Sequence, residues 1–190
     1  MKALADLRQQ VNETRLYGVG VDAVLRGGRI LVVFIDGCRH GAGYVTASIG
    51  KFDWSVAQDG GGLEKLKAAD WQIHQVSSLP FSSSLRHLGP REVEIYAIRH
   101  FKRHGYRDLA GLPMLLVGDH KNLVDIDQVL HRCSLAAFIG WALEVQELFS
   151  APGVQPIWAP GTTNGWADTA SRTLAGARAP RDAAEKTLAE

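Results

Sequence analysis

A chain of 190 residues with 46% hydrophobic side chains can bury one sizeable core, which favours a single domain. The formal net charge is +1, with 22% charged residues. This balance excludes a uniformly basic protein that binds nucleic acid through its overall charge, so any site for a polyanion must be a local patch.

The first part of the chain is predicted to form a lead-in helix and then antiparallel strands. Residues 2–16 carry a weak helical stripe of apolar positions. Two β-rich runs, 19–25 and 29–36, flank a Gly-Gly turn and indicate a hairpin, whose second strand is apolar on both faces and therefore central. Residues 41–48 are expected to form the next strand, and residues 71–76 an edge strand.

The second part alternates helices with strands. Apolar positions recur at helical spacing over residues 90–104, with a proline in the first turn. The elements expected after this helix are a buried strand at 112–118, one long helix or two at 125–149, a short strand at 154–158 and a final helix at 164–175. Three antiparallel strands followed by two parallel βα units predict an α/β fold, with a five-stranded mixed sheet flanked by helices.

Four carboxylates lie where this fold would gather them. Asp36 and Asp119 end buried strands, and the carboxyl ends of parallel strands form ligand sites in open α/β sheets. Glu94 lies in the first turns of the helix that follows, and Asp168 lies early in the last helix. Carboxylates without histidine or thiolate suit Mg²⁺ or Mn²⁺, and two such ions about 4 Å apart can promote phosphodiester hydrolysis. Taken singly, an Asp at a strand end is more often a turn former or a helix cap.

The segments that carry these acids resemble, in the same order, blocks of the ribonuclease H domains in the reverse transcriptases of gypsy-type LTR retrotransposons. FIDGCRHGAGYV (34–45) resembles the first two strands and their turn, and REVEIYAIRHFKRH (91–104) resembles the first helix. LLVGDHKNL (115–123) is close to the family's Asp-His-x-x-Leu segment. APGTTNGWADTASR (159–172) is close to its Pro-Gly-x-x-Asn-x-x-Ala-Asp-x-x-Ser-Arg ending.

The resemblance implies a ribonuclease H-like fold and an endonuclease that uses two Mg²⁺ or Mn²⁺ ions to hydrolyse the RNA strand of RNA–DNA hybrids. By this resemblance Asp36 would bridge both ions. Glu94 and Asp119 would complete one ion site, and Asp168 would complete the other. A polymerase domain of the same polyprotein is a further expected partner, since such domains occur in reverse transcriptases.

The sequence also predicts the domain boundaries and the cellular compartment of the protein. The ribonuclease H-like domain is expected at 29–176, after an N-terminal lead-in helix and hairpin strand at 1–28 and before a C-terminal tail at 177–190. Cys38 and Cys133 form no metal-binding cluster and are typical of reduced thiols. With no signal-peptide pattern and no long apolar run, we expect an intracellular protein of the cytoplasm, the nucleus or a retroelement particle, not a secreted or membrane protein.

Several polar residues are candidates for contact with nucleic acid. Arg99, Lys102 and Arg103 share a face near the end of a helix and could bind phosphates. An ordinary solvated helix end, which also suits the helix dipole, explains them equally well. His120 follows the third carboxylate directly and could touch substrate or be packed or capping. Asn122 could contact a 2′-hydroxyl or cap a helix.

Two residues of the segment 159–172 have predicted roles apart from metal binding. Asn164 is expected to brace the loop before Asp168, and Trp166 is the tryptophan placed best to stack on a substrate.

Two other functions share the fold. The chain could be a non-catalytic binding or assembly module, because fold does not guarantee function. It could also be a nuclease or transposase acting on DNA, although the gypsy-like sequence around Asp119 and Asp168 argues against this.

Overall fold

The computed structural model describes residues 24, 28–50, 71–85, 87–120, 126 and 136–173. Two short 3-10 helices, Ser83–Leu85 and Tyr106–Leu109, lie on either side of the α-helix Pro90–His104. The strands and α-helices with bounds inside the described residues are, in chain order, β1 (Ile30–Cys38), β2 (Gly41–Ile49), β3 (Trp71–Pro80), α1 (Pro90–His104), β4 (Met114–Gly118), α2 (Ala136–Phe149), β5 (Val154–Trp158) and α3 (Gly165–Thr173).

The five strands form one mixed sheet in the order β3-β2-β1-β4-β5. β1 pairs antiparallel with β2, which pairs antiparallel with β3. On the other side β1 pairs parallel with β4, which pairs parallel with β5. The predicted five-stranded α/β sheet is therefore confirmed. Because β1 and β4 are parallel neighbours, their carboxyl ends meet at one edge of the sheet.

β1 is buried on both faces, as its continuous apolar run predicts. Leu31, Val33 and Ile35 pack on the side of α1 and α2. Ile30, Val32 and Phe34 pack on the side of α3. Burial of each such side chain stabilises the fold by roughly 1.5–3 kcal/mol, so β1 fixes both helical layers to one central strand.

α1 begins and ends where its sequence signals predict. Pro90 occupies the first turn, where its missing N–H costs nothing, and the Gly89 N–H donates to Glu92 Oε2 at 2.5 Å. The helix ends at His104, and the Gly105 N–H donates to the carbonyl of Phe101 at 2.7 Å. Its apolar face packs on β1 and β2, which directs the N-terminal turn of the helix to the carboxyl end of β1.

Of the predicted hairpin strand over 19–25 the structure describes only Val24, which does not lie in a strand. β2 pairs with one edge of β1, and β4 pairs with the other. Val24 is helical and is buried in the core shared by α1 and α2. The Gly-Gly turn is a local signal next to β1. It does not predict that β4, far later in the chain, pairs with β1.

Some sequence predictions lie outside the described residues. These are the lead-in helix at 2–16, most of the first part of the helical region predicted at 125–149, the residues Asn122 and Cys133, and the tail at 177–190. In the part of the chain that the structure describes, no helix combines the length and apolar character that a membrane span requires.

Candidate metal centre

Two carboxylates come from the carboxyl ends of adjacent parallel strands. Asp36 lies near the carboxyl end of β1, and Asp119 directly follows the last residue of β4. The indole Nε1 of Trp158, at the end of β5, donates to the backbone carbonyl of Asp119 at 2.8 Å. The third parallel strand therefore fixes the backbone from which Asp119 projects.

Glu94 reaches the same edge from the first turns of α1. A Cβ on Gly37 would overlap the backbone carbonyl of Val93, so glycine is what lets α1 approach β1 this closely. The carboxylate of Glu94 also receives a backbone hydrogen bond from Gly37. Only 7% of Glu94 is exposed. Glutamate side chains are seldom buried to this degree unless they are paired with a cation.

Asp36, Glu94 and Asp119 converge. One carboxylate oxygen from each lies within 4.8 Å of the corresponding oxygen of the other two. The donor set consists of hard oxygens alone, which is the set that Mg²⁺ and Mn²⁺ prefer. These three residues could therefore hold a divalent cation, as the sequence predicted for them.

The electrostatics of the cluster favour a cation. Burial raises the pKa of Asp36 to about 6, and the charges of Asp119 and Asp168 add to the rise. Burial, reinforced by the charges of Asp36 and Asp119, raises the pKa of Glu94 to about 9. Burial also raises the pKa of Asp119. A bound divalent ion would supply the opposite charge that favours the ionised carboxylates.

Asp168 lies near this group but is not part of it. Its Oδ1 accepts a hydrogen bond from Arg172 Nε at 2.5 Å, one turn further along α3. Its charge nevertheless contributes to the raised pKa of Asp36 and of Asp119. The structure therefore brings three of the four predicted carboxylates together, and a second ion site completed by Asp168 stays a prediction.

The expected bracing role of Asn164 is confirmed. Its side chain is fully buried, and Nδ2 donates to the carbonyl of Ile35 at 2.8 Å. The backbone carbonyl of Asn164 accepts a hydrogen bond from the N–H of Asp168 at 3.1 Å. Asn164 thus ties the start of α3 to β1. Trp166 packs edge-to-face against Phe34, with ring centroids 5.6 Å apart, so it is part of the core on this side of the sheet.

The three basic residues of α1 are engaged with α2. Arg99 and Arg103 both donate to Glu144, at 3.0 Å and 2.7 Å. Lys102 pairs with Glu147 at 2.5 Å. A phosphate group that bound these side chains would compete with the two glutamates, so their role in binding nucleic acid stays a prediction.

His120 lines a pocket beside Glu94. The other walls are mainly apolar and include Ile98, Leu116 and Phe149. Nδ1 of His120 is buried, and none of the described residues forms a hydrogen bond with it. The ring is therefore partly packed, and contact with a substrate stays a prediction.

Sequence reasoning gave no role to Ser171. This residue is fully buried on α3, and its hydroxyl donates to Oδ2 of Asp36. A signal was present, because Ser171 lies in the same ADTASR block that carries Asp168. The pairing of Ser171 with a residue 135 positions earlier depends on tertiary structure.

Comparison with known proteins identifies the fold. No family model and no curated protein matches the sequence. The N-terminal RNase H domain of a Mycobacterium tuberculosis protein, solved as a fusion with maltose binding protein, matches with a TM-score of 0.50 at 15% identity. The match covers 83% of this chain and 97% of that one. The chain therefore has a ribonuclease H-like fold.

Two further solved structures have slightly lower TM-scores. RNase H1 from the halophilic archaeon Halobacterium salinarum matches at 12% identity and a TM-score of 0.49, covering 74% of this chain and 92% of that one. The RNase H domain of prototype foamy virus matches at 14% identity and a TM-score of 0.47, covering 80% of this chain and 96% of that one.

Proposed function

We propose that this protein is a divalent-metal-dependent endoribonuclease that hydrolyses the RNA strand of RNA–DNA hybrids. One observation carries the proposal: Asp36, Glu94 and Asp119, from three separate elements, bring carboxylate oxygens within 4.8 Å of one another in a ribonuclease H-like fold. Residues 29–176 would form the nuclease domain. The gypsy-type sequence blocks favour an origin in a retroelement reverse transcriptase, with a polymerase domain as partner.

The carboxylates would perform distinct tasks. When bound, Mg²⁺ or Mn²⁺ ions would help to activate water and to stabilise the leaving oxygen of the phosphodiester. Asp36 would contribute to both ion sites, Glu94 and Asp119 would complete one, and Asp168 would complete the other. Because burial raises the pKa of Glu94 to about 9, Glu94 holds a proton near neutral pH and would release it as the ion binds.

Recognition of a hybrid would depend on shape. A hybrid differs from duplex DNA in its wider minor groove and in the 2′-hydroxyls of one strand. Arg99, Lys102 and Arg103 are candidates for phosphate contact, and His120 and Asn122 for contact near the scissile bond. Loss of a phosphate contact would weaken binding to all sequences about equally and reduce its dependence on salt.

Cleavage of labelled substrates tests the proposal. A hybrid, a DNA duplex and single-stranded RNA are each incubated with Mg²⁺ or Mn²⁺ and with wild-type protein, Asp36→Asn or Asp108→Asn. The last variant makes the same chemical change at an exposed residue outside the cluster. We expect cutting of the RNA strand of the hybrid by the wild type and by Asp108→Asn, and no cutting by Asp36→Asn.

The other outcomes separate the alternatives. Cutting of the DNA duplex in preference to the hybrid would identify a DNA nuclease. Hybrid binding without cleavage, with either metal and at high protein concentration, would identify a non-catalytic binding module. Equal activity of wild type and Asp36→Asn would contradict the assigned metal centre.

A further inference from the structure

The last turn of α3 holds the carboxylate of Asp36. Ser171 is 0% exposed and donates its hydroxyl hydrogen to Oδ2 of Asp36, which is itself 4% exposed. We infer that Ser171 is a positioning residue that fixes Asp36 for metal binding, and that Gly43 is what admits Ser171 to this place. The inference deepens the proposed function and rests on it.

Gly43 makes the contact sterically possible. It lies directly opposite Asp36 in the antiparallel register of β1 and β2. A Cβ built on Gly43 would lie 2.5 Å from the backbone nitrogen of Ser171 and 2.8 Å from the carbonyl carbon of Ala170, closer than real Cβ atoms approach. The backbone of α3 therefore rests on β2 at the one position whose cross-strand partner is Asp36.

The remaining contacts of Ser171 favour the same arrangement. Its hydroxyl also lies 3.0 Å from the backbone carbonyl of Asp168, but it has a single hydrogen to donate. A hydrogen bond to an ionised carboxylate is roughly twice as strong as one to a neutral carbonyl, which favours Asp36 as the acceptor. The Cys38 thiol reaches the carbonyl of Ser171 at 3.4 Å, so the end of β1 holds the serine from its other side.

If Ser171 positions Asp36, loss of its hydroxyl should weaken metal binding and not only the stability of the fold. Asp36 has little contact with solvent, so water cannot easily replace the serine hydroxyl when it is removed. Groups that orient metal ligands typically contribute a factor of about 10 to 100 in metal affinity or activity. Because Ser171 is fully buried, it cannot touch a hybrid, and its loss should leave the KM for the hybrid unchanged.

Binding of Mn²⁺ to the protein, followed by electron paramagnetic resonance without substrate, tests this role. The variants are Ser171→Ala and Thr169→Ala. Thr169 lies on the same helix, and its hydroxyl donates to the carbonyl of Gly165 at 2.7 Å, so the control also loses one hydroxyl hydrogen bond but touches no carboxylate of the cluster. We expect Mn²⁺ affinity to fall about 10- to 100-fold in Ser171→Ala and to stay within about twofold of wild type in Thr169→Ala.

Ser171→Cys retains a weak donor of similar size and should recover part of the affinity. It also carries the test if Ser171→Ala does not fold. Cleavage of the hybrid should show a lower kcat at fixed Mn²⁺ with an unchanged KM.

The two levels of failure are distinguishable. If wild-type protein binds Mn²⁺ and cleaves hybrids, and the folded Ser171 variants bind Mn²⁺ as tightly as Thr169→Ala does, the positioning role is refuted and the proposed function stands. If wild-type protein neither binds Mn²⁺ nor cleaves hybrids, the proposed function fails and the inference fails with it.

Discussion

Replacement of Glu94 by glutamine should stabilise the metal-free protein at neutral pH. Burial, with the charges of Asp36 and Asp119, raises the pKa of Glu94 from 4.5 to about 9. Between these values the folded state keeps a proton that the unfolded chain has released. The folded state therefore binds more protons, and the free energy of unfolding falls as pH rises.

The size of the effect follows from the width of this pH window. At pH 7 the solution lies about 2.5 units above the unfolded-state pKa of Glu94, and each unit corresponds to about 1.4 kcal/mol. Glu94 thus costs the metal-free fold roughly 3 kcal/mol at pH 7, with a slope of about −1.4 kcal/mol per pH unit. Glutamine has nearly the same shape, does not ionise, and can still accept the hydrogen bond from Gly37.

Urea unfolding in EDTA at pH 6, 7 and 8 measures the slope directly. We expect the slope of the free energy of unfolding to be about 1.4 kcal/mol per pH unit more negative for wild type than for Glu94→Gln, and Glu147→Gln to have the wild-type slope. Glu147 has a side chain that is 77% exposed, which makes this variant a matched surface control. Saturating Mg²⁺ should stabilise wild type more than Glu94→Gln, because it favours the ionised carboxylates.

Equal pH slopes for wild type and Glu94→Gln would refute the reasoning. That result would mean that the protonation of Glu94 is not linked to folding, and that its carboxyl does not lie in the buried, negatively charged environment described above.

Three further substitutions test the packing around the site by urea unfolding. Gly37→Ala should lower the free energy of unfolding by about 1–3 kcal/mol, because its methyl group would overlap the carbonyl of Val93; an unchanged midpoint would contradict this close approach. Asn164→Ala should cost about 1–3 kcal/mol, since it leaves the buried carbonyl of Ile35 without its donor; a neutral effect would show that water replaces the amide. Glu144→Gln should cost less than about 1 kcal/mol, with a smaller loss at 1 M salt; a large, salt-independent loss would contradict a surface ion pair.

Local patterns predicted much of the fold. The run from Ile30 to Ile35 is apolar on both faces and forms the central strand, and the helical spacing after Pro90 gives α1 with its first-turn proline. The Gly-Gly turn before β1 did not predict which strands pair with β1, because one of its two partners is a distant strand. A turn signal reports on neighbouring residues only, whereas β4 becomes a partner of β1 through the packing of the whole sheet.

The sequence by itself placed two carboxylates at the carboxyl ends of buried strands, because in each case an aspartate directly follows a continuous apolar run. This holds for Asp36 and Asp119. Tertiary structure decided most of the partners of the charged and polar side chains at the site and on α1. Arg172 pairs with Asp168, Ser171 holds Asp36, and Glu144 pairs with the arginines of α1. Except for the pair one turn apart on α3, these contacts join residues more than 40 positions apart. Their partners are set by how closely two elements pack, a distance that local sequence does not encode.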